Sequence, residues 1–235
     1  MKLKNLTPIA AAVALTLGSL IGTTEAQAGV SGSIGVSNFY LWRGADASSG
    51  SAQVFGEAKY SHDSGAYVAA WLSNWAGYDA DTGHYSPSNE NNYYAGYAMK
   101  AGGIDLDFSY WNITYPTGAS PADSKSIFNT NATEVVVGIG AGDISGSVVL
   151  DIDPDHEDKY KYVSVGYGMD KYSATLGKWI GDKDKGMPTY GHLTASYAVA
   201  DELSFTLSKA FGDDTTGINK ELLVNIAYTK SFESK

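Results

Sequence analysis

The feature that most constrains this chain is a period of two that recurs in segment after segment, broken by connections that are short and long in strict turn. It is plainest at residues 192–209, HLTASYAVADELSFTLSK. Leu193, Ala195, Tyr197 and Val199 alternate with His192, Thr194, Ser196 and Ala198. Beyond the tight turn at Ala200-Asp201-Glu202, Leu203, Phe205 and Leu207 alternate with Ser204, Thr206 and Ser208. This spacing makes both arms strands, each with one apolar and one small polar face.

The same unit predicts about twelve strands, over residues 31–42, 52–61, 67–75, 92–100, 104–115, 133–141, 144–152, 160–169, 172–180, 190–199, 203–211 and 221–232. Short turns fall at His62-Asp63-Ser64-Gly65, Gly102-Gly103, Gly142-Asp143, Asp170-Lys171 and Ala200-Asp201-Glu202, all suited to tight hairpins. Long connections at 43–51, 76–91, 116–132, 153–159, 181–189 and 212–220 are rich in Gly, Asp, Ser, Asn and Pro. Strands of about nine to twelve residues match tilted membrane strands better than globular ones. In hydrocarbon no unpaired sheet edge is tolerated, so such strands must close. The expected fold is all-β: a 12-stranded antiparallel transmembrane β-barrel over residues 29–235, with short periplasmic turns and long extracellular loops. A lipocalin-like barrel or a sandwich would not explain loops that lengthen on one side only.

Residues 1–28 read as a cleaved export signal. Lys2 and Lys4 precede an apolar run over 9–22, and Ala26-Gln27-Ala28 fits the small-x-small cleavage pattern. The run falls short of the ~20 residues of a membrane-spanning helix. The full chain carries a net charge of −10, and the acidic balance argues against nucleic acid as a partner. The absence of cysteine excludes disulfides, thiolate metal sites and a cysteine nucleophile.

Three blocks carry a family likeness: SNFYLWRG from Ser37, SGAYVAAWLSNW from Ser64, and DFSYWNITYP from Asp107. In this order they resemble the TorF-type family of proposed outer-membrane porins of Gram-negative bacteria. The resemblance implies a cell-outer-membrane barrel with a pore. Two departures stand out. The acidic stretch expected before the fourth strand is only Asn89-Glu90-Asn91-Asn92, and Phe232 is followed by Glu233-Ser234-Lys235 rather than ending the chain.

Parity places Gln53, Glu57, Lys59, Asp105, Asp107, Glu134 and Asp151 on the lumen face, with Glu57 and Lys59 expected to neutralise each other. An acidic passage would favour neutral or cationic solutes. Arg43, the only arginine, is suited to bind a carboxylate or phosphate bidentately, to pair with an acidic neighbour, or to anchor at the membrane interface. All five tryptophans, Trp42, Trp71, Trp75, Trp111 and Trp179, fall near loop ends and read first as an interfacial girdle. Trp111 and Trp179, however, share parity with polar residues, which would point them into the lumen, where an aromatic could stack on a sugar.

Asp151-x-Asp153-x-Asp155 superficially resembles a calcium loop. His156 replaces its glycine and Tyr162 its bidentate glutamate, so no metal site is assigned and no cofactor is expected. Of the four histidines only His192 lies on a strand, with Thr194 and Ser196 on its face. No nucleophile signature surrounds them, and catalysis by an outer-membrane lipase is a remote alternative to a non-enzymatic barrel. The expected function is passive diffusion of small hydrophilic solutes through a barrel whose partners are outer-membrane lipid, lipopolysaccharide and those solutes. The alternative is a closed-lumen barrel that acts through its acidic loops in adhesion.

Overall fold

A computed structural model describes residues 28–79, 84–116, 132–154, 159–185, 187–214 and 218–234. Asp155 to Asp158, the end of the calcium-like motif, and the export signal up to residue 27 lie outside the described residues.

Twelve strands form a closed antiparallel barrel: β1 (Gly29–Ser37), β4 (Gln53–Ser61), β5 (Ala66–Asp79), β6 (His84–Ala101), β7 (Ile104–Thr114), β8 (Ala132–Ala141), β9 (Ile144–Asp151), β10 (Lys161–Met169), β11 (Tyr172–Ile180), β12 (Thr189–Ala198), β13 (Leu203–Asp214) and β14 (Leu223–Ser234). Each pairs with its sequence neighbour, and β1 closes the ring on β14 with Ser33 opposite Ser231 and Gly35 opposite Thr229. Two further strands of two residues each, β2 (Leu41–Trp42) and β3 (Ala45–Asp46), make a separate small hairpin.

The turns follow local chemistry. Gly102 and Gly103 have φ of 59° and 86°, as a two-residue turn matched to strand twist requires. The short turns, the start of β1 and the end of β14 lie at one end of the barrel, and the long connections join the strands at the other.

Alternation sorts the side chains as expected. On β14, Val224, Ile226 and Tyr228, with Leu222 just before the strand, face outwards while Leu223, Asn225, Ala227 and Thr229 are buried inside. Ile34, Val54 and Val165 are 63%, 62% and 60% exposed on the outside, a surface that water would not tolerate as a continuous belt but hydrocarbon covers. Tyr60, Tyr97, Tyr167, Tyr172, Tyr197 and Tyr228 circle the short-turn end on this outer face, where a phenol suits a membrane–water boundary.

Two strand expectations are corrected. The first strand was expected to run through Trp42, but it stops at Ser37. The Asn38 side chain there donates to Val224 O and accepts from Ile226 N, and the chain then leaves the wall. The span 76–91, expected as a loop, is mostly strand, because β5 and β6 continue pairing out to Asp79 and His84.

Candidate functional site

The chain that leaves β1 turns into the barrel. Phe39, Tyr40 and Leu41 are buried, and β2 and β3 reverse direction through Arg43 and Gly44, at φ of 46° and 86°. Positive φ at both central residues defines the same tight turn used in strand hairpins, which glycine accepts freely and arginine does not. Asp46 fixes the return: its carboxylate accepts from the backbone N–H groups of Ser48 and Gly50 at 2.9 and 2.6 Å. The wall holds the stem, since Asn225 Nδ2 donates to Phe39 O at 2.7 Å.

The tip reaches the strands across the lumen from β1. Arg43 Nη1 and Nη2 donate to the two carboxylate oxygens of Glu134 on β8 at 2.8 and 2.9 Å. This fork-to-fork geometry is the strongest that a guanidinium and a carboxylate make. Both side chains are nearly sealed, 9% and 2% exposed. Tyr160 donates its hydroxyl to the same carboxylate at 2.8 Å, and Tyr190 donates to Arg43 O at 3.1 Å. The guanidinium carbon lies 4.4, 5.1 and 5.4 Å from the ring centres of Trp42, Tyr162 and Trp179, so aromatic faces meet the charge where carboxylate does not.

Below the turn, Gly44 sits against His192. A Cβ at Gly44 would lie 2.3 Å from the His192 ring, so only glycine permits this approach. His192 is fully buried; its Nε2 is 2.9 Å from Tyr162 Oη and its Nδ1 3.0 Å from Thr194 Oγ1, which in turn is 2.7 Å from Ser208 Oγ. Both ring nitrogens are therefore occupied, and the hairpin covers the imidazole.

Aromatic side chains of the wall pack around the hairpin on both sides. Tyr40 packs on Trp71 at 5.6 Å, Trp42 meets Trp179 edge-on at 5.1 Å, and Tyr94 stacks on Trp111 at 3.9 Å and 1°. The girdle reading of the tryptophans is thus overturned: Trp71, Trp111 and Trp179 point inwards from the wall, Trp42 rides on the hairpin, and Trp75 packs with Tyr115. The alternation could indicate this for Trp111 and Trp179, because each has the parity of the polar set.

The other sequence-selected residues fall on the lumen side but are not a free ring of charge. Gln53 bridges Ser37 and Ser73. Glu57 accepts from Tyr94 at 2.6 Å, while Lys59 lies 3.8 Å above the Tyr67 ring. The expected mutual pairing of Glu57 and Lys59 is therefore replaced by two tyrosine contacts, because Tyr94 on β6 and Tyr67 on β5 each stand within reach of one of the two charges. Asp107 accepts from Tyr67 at 2.8 Å, Asp105 pairs with Lys100 at 3.3 Å, and Asp151 is buried and accepts from Asp153 N. Arg43 is not part of the wall at all. On the short-turn side of the hairpin, lumen-facing Lys59, Asp105, Ser145, Ser164 and Ser173 retain partial exposure. Sequence reasoning missed Gly44 and the in-facing tyrosines Tyr67, Tyr94, Tyr160, Tyr162 and Tyr190. Their signal was a large aromatic at small-polar parity.

The sequence matches, over residues 22–225, the family described as "Bacterial protein of unknown function (Gcw_chp)". The chain belongs to the Gcw_chp family. A comparison with curated proteins yields no match for this Gcw_chp chain. Among solved structures it is similar to outer membrane phospholipase A from Escherichia coli, at 9% identity and a TM-score of 0.43, over 91% of this chain and 92% of that one. It is also similar to a mutant of the Rh. blastica porin, at 12% identity and a TM-score of 0.34, over 88% and 99% of the two chains. Among the described residues there is no group of acidic, His or Cys side chains placed to hold a metal ion.

Proposed function

We propose that this protein is an outer-membrane channel for small hydrophilic solutes, without enzymatic activity, whose passage is closed in this conformation by the β2–β3 hairpin. The observation that carries this reading is the origin of the closure. A loop-borne hairpin, fastened at its tip by one ion pair, occupies the lumen of a wall that is complete without it. A closure of that kind can leave while the hydrogen-bonded ring stays intact, whereas a lumen filled by wall residues alone could not open.

The lining below the hairpin supports a hydrophilic cargo. Ser33, Ser145, Ser147, Ser164, Thr175 and Ser196 line the inner face, and the charges of Glu57, Asp105 and Asp107 outnumber those of Lys59 and of Lys100, which pairs with Asp105. Such a lining favours neutral or cationic solutes. The outward apolar belt and the likeness to TorF-type porins agree with an outer-membrane location.

Conductance in planar bilayers tests the reading. Replacing residues 39–51 by a short Gly-Ser linker should convert a quiet wild-type barrel into one with a stable, large open level. A folded linker variant that stays silent would retire the channel and leave the closed-barrel, surface-interaction reading in its place.

A further inference from the structure

The lipid-facing wall is not uniform. Lys178 on β11 and Lys209 on β13 each stand six residues beyond the first residue of their strands, Tyr172 and Leu203. Lys161 on β10 stands eight residues before Met169, counted from the same short-turn end. All three are exposed on the outside of the barrel. The corresponding positions six residues into β5, β7 and β9 are Leu72, Tyr110 and Leu150, which are also outward and exposed. On the long-loop half of the wall the outward lysines are thus Lys161, Lys178 and Lys209, within the third of the wall from β10 to β13.

Their spacing follows from the register. Lys178 pairs laterally with Val163, two residues from Lys161, and with Gly191, whose partner Phe211 is two residues from Lys209. With strands ~4.8 Å apart and ~3.3 Å per residue, successive Cα separations are roughly 8 and 12 Å, within reach of two long side chains converging on one headgroup. Among the described residues, no carboxylate lies within salt-bridge distance of any of the three lysines. A protein of net charge −10 has no general excess of lysine to scatter here. A cation on the lipid face is unfavourable unless it reaches an anion at the boundary.

Immediately beneath the lysines the wall is grooved. A cavity of about 520 Å³ opens between β10 and β13, lined by Val163, Val165, Leu176 and Phe211. Gly191 makes room for it: the Phe211 ring lies across this glycine, where a Cβ would come within 2.5 Å of the ring. An apolar furrow capped by cations at one end is complementary to an amphiphile with acyl chains and an anionic head.

We infer that the β10–β13 face is a binding site for the lipid A portion of lipopolysaccharide, with Val163, Val165, Leu176 and Phe211 receiving acyl chain and Lys161, Lys178 and Lys209 holding phosphate. The lysines lie towards the long-loop end, the outer leaflet if the short turns are periplasmic. A phosphorylated disaccharide, with a phosphate at each end, suits a row of cations better than a single-phosphate head does. The inference rests on the membrane placement of the barrel and not on whether its lumen conducts.

The test is native mass spectrometry of the folded barrel in neutral detergent, titrated separately with hexa-acylated diphosphoryl lipid A, phosphatidylglycerol and phosphatidylethanolamine. The wild type should retain lipid A at about tenfold lower concentration than phosphatidylglycerol, and phosphatidylethanolamine least. The variant K161Q/K178Q/K209Q should lose about tenfold in lipid A retention, and K178Q alone a smaller part of it. A control with three lysines changed at the opposite end, K100Q/K171Q/K230Q, should bind as the wild type does. Equal retention by the first triple variant, equal loss in the control, or phosphatidylglycerol binding as tightly as lipid A would each overturn the site. A barrel that stays silent in bilayers yet shows this lysine dependence would remove the channel alone.

Discussion

Changing Arg43 to alanine removes the one cation paired with Glu134 among the described residues, in a nearly sealed space. The bidentate pair has one partner 2% exposed and the other 9% exposed. Breaking a pair of that kind from one side typically costs about 3–5 kcal/mol, because the remaining charge is left buried. Loss of the guanidinium against Trp42 at 4.4 Å adds about 0.5–2 kcal/mol. Tyr160 still donates to Glu134 and water can reach the vacated space, so the lower end, about 3 kcal/mol, is the better expectation. The wall ladder does not include Arg43, and the cost therefore falls on the docked hairpin rather than on the barrel. At 1.4 kcal/mol per factor of ten, the undocked population should rise by roughly a hundredfold. The chain has no cysteine, so Ala47→Cys introduces a unique reporter inside the lumen. Its reaction with a membrane-impermeant thiol reagent should accelerate about a hundredfold when Arg43→Ala is added. Adding Glu134→Ala as well should recover part of the protection, since the stranded carboxylate is then gone. A rate within about threefold of the parent, or strictly additive single effects, would refute the idea that this ion pair holds the hairpin in place.

Two further outcomes follow from the same geometry. Gly44→Ala combines a positive φ of 86° with a Cβ only 2.3 Å from His192, and should undock the hairpin in the same labelling assay. Adding His192→Ala should relieve the clash but not the backbone strain, restoring protection in part; no response to Gly44→Ala would contradict the close approach. In the variant lacking residues 39–51, Asp105→Asn with Asp107→Asn should lower cation preference measured by reversal potential, and an unchanged potential would place both carboxylates off the conduction path.

The alternation of residues such as Leu222 to Thr229 determined almost everything about the wall. A period of two admits only a strand, and an apolar face with no second layer to cover it, joined by turns that are short at one end only, admits only a closed sheet in lipid. The same parity already separated Trp111 and Trp179 from an outward girdle. What local pattern could not express was the path of 38–52. Phe39, Tyr40, Leu41 and Trp42 are apolar whether they continue a lipid-facing strand or fold into a lumen, so the chain reads as strand up to Trp42 either way. The choice is made by partners far away in sequence. Glu134 lies 91 residues from Arg43, and Asn225 lies 186 residues from Phe39. Those contacts exist only once β8 and β14 have taken their places in the ring, because pairing register, not residue spacing, brings them to the hairpin.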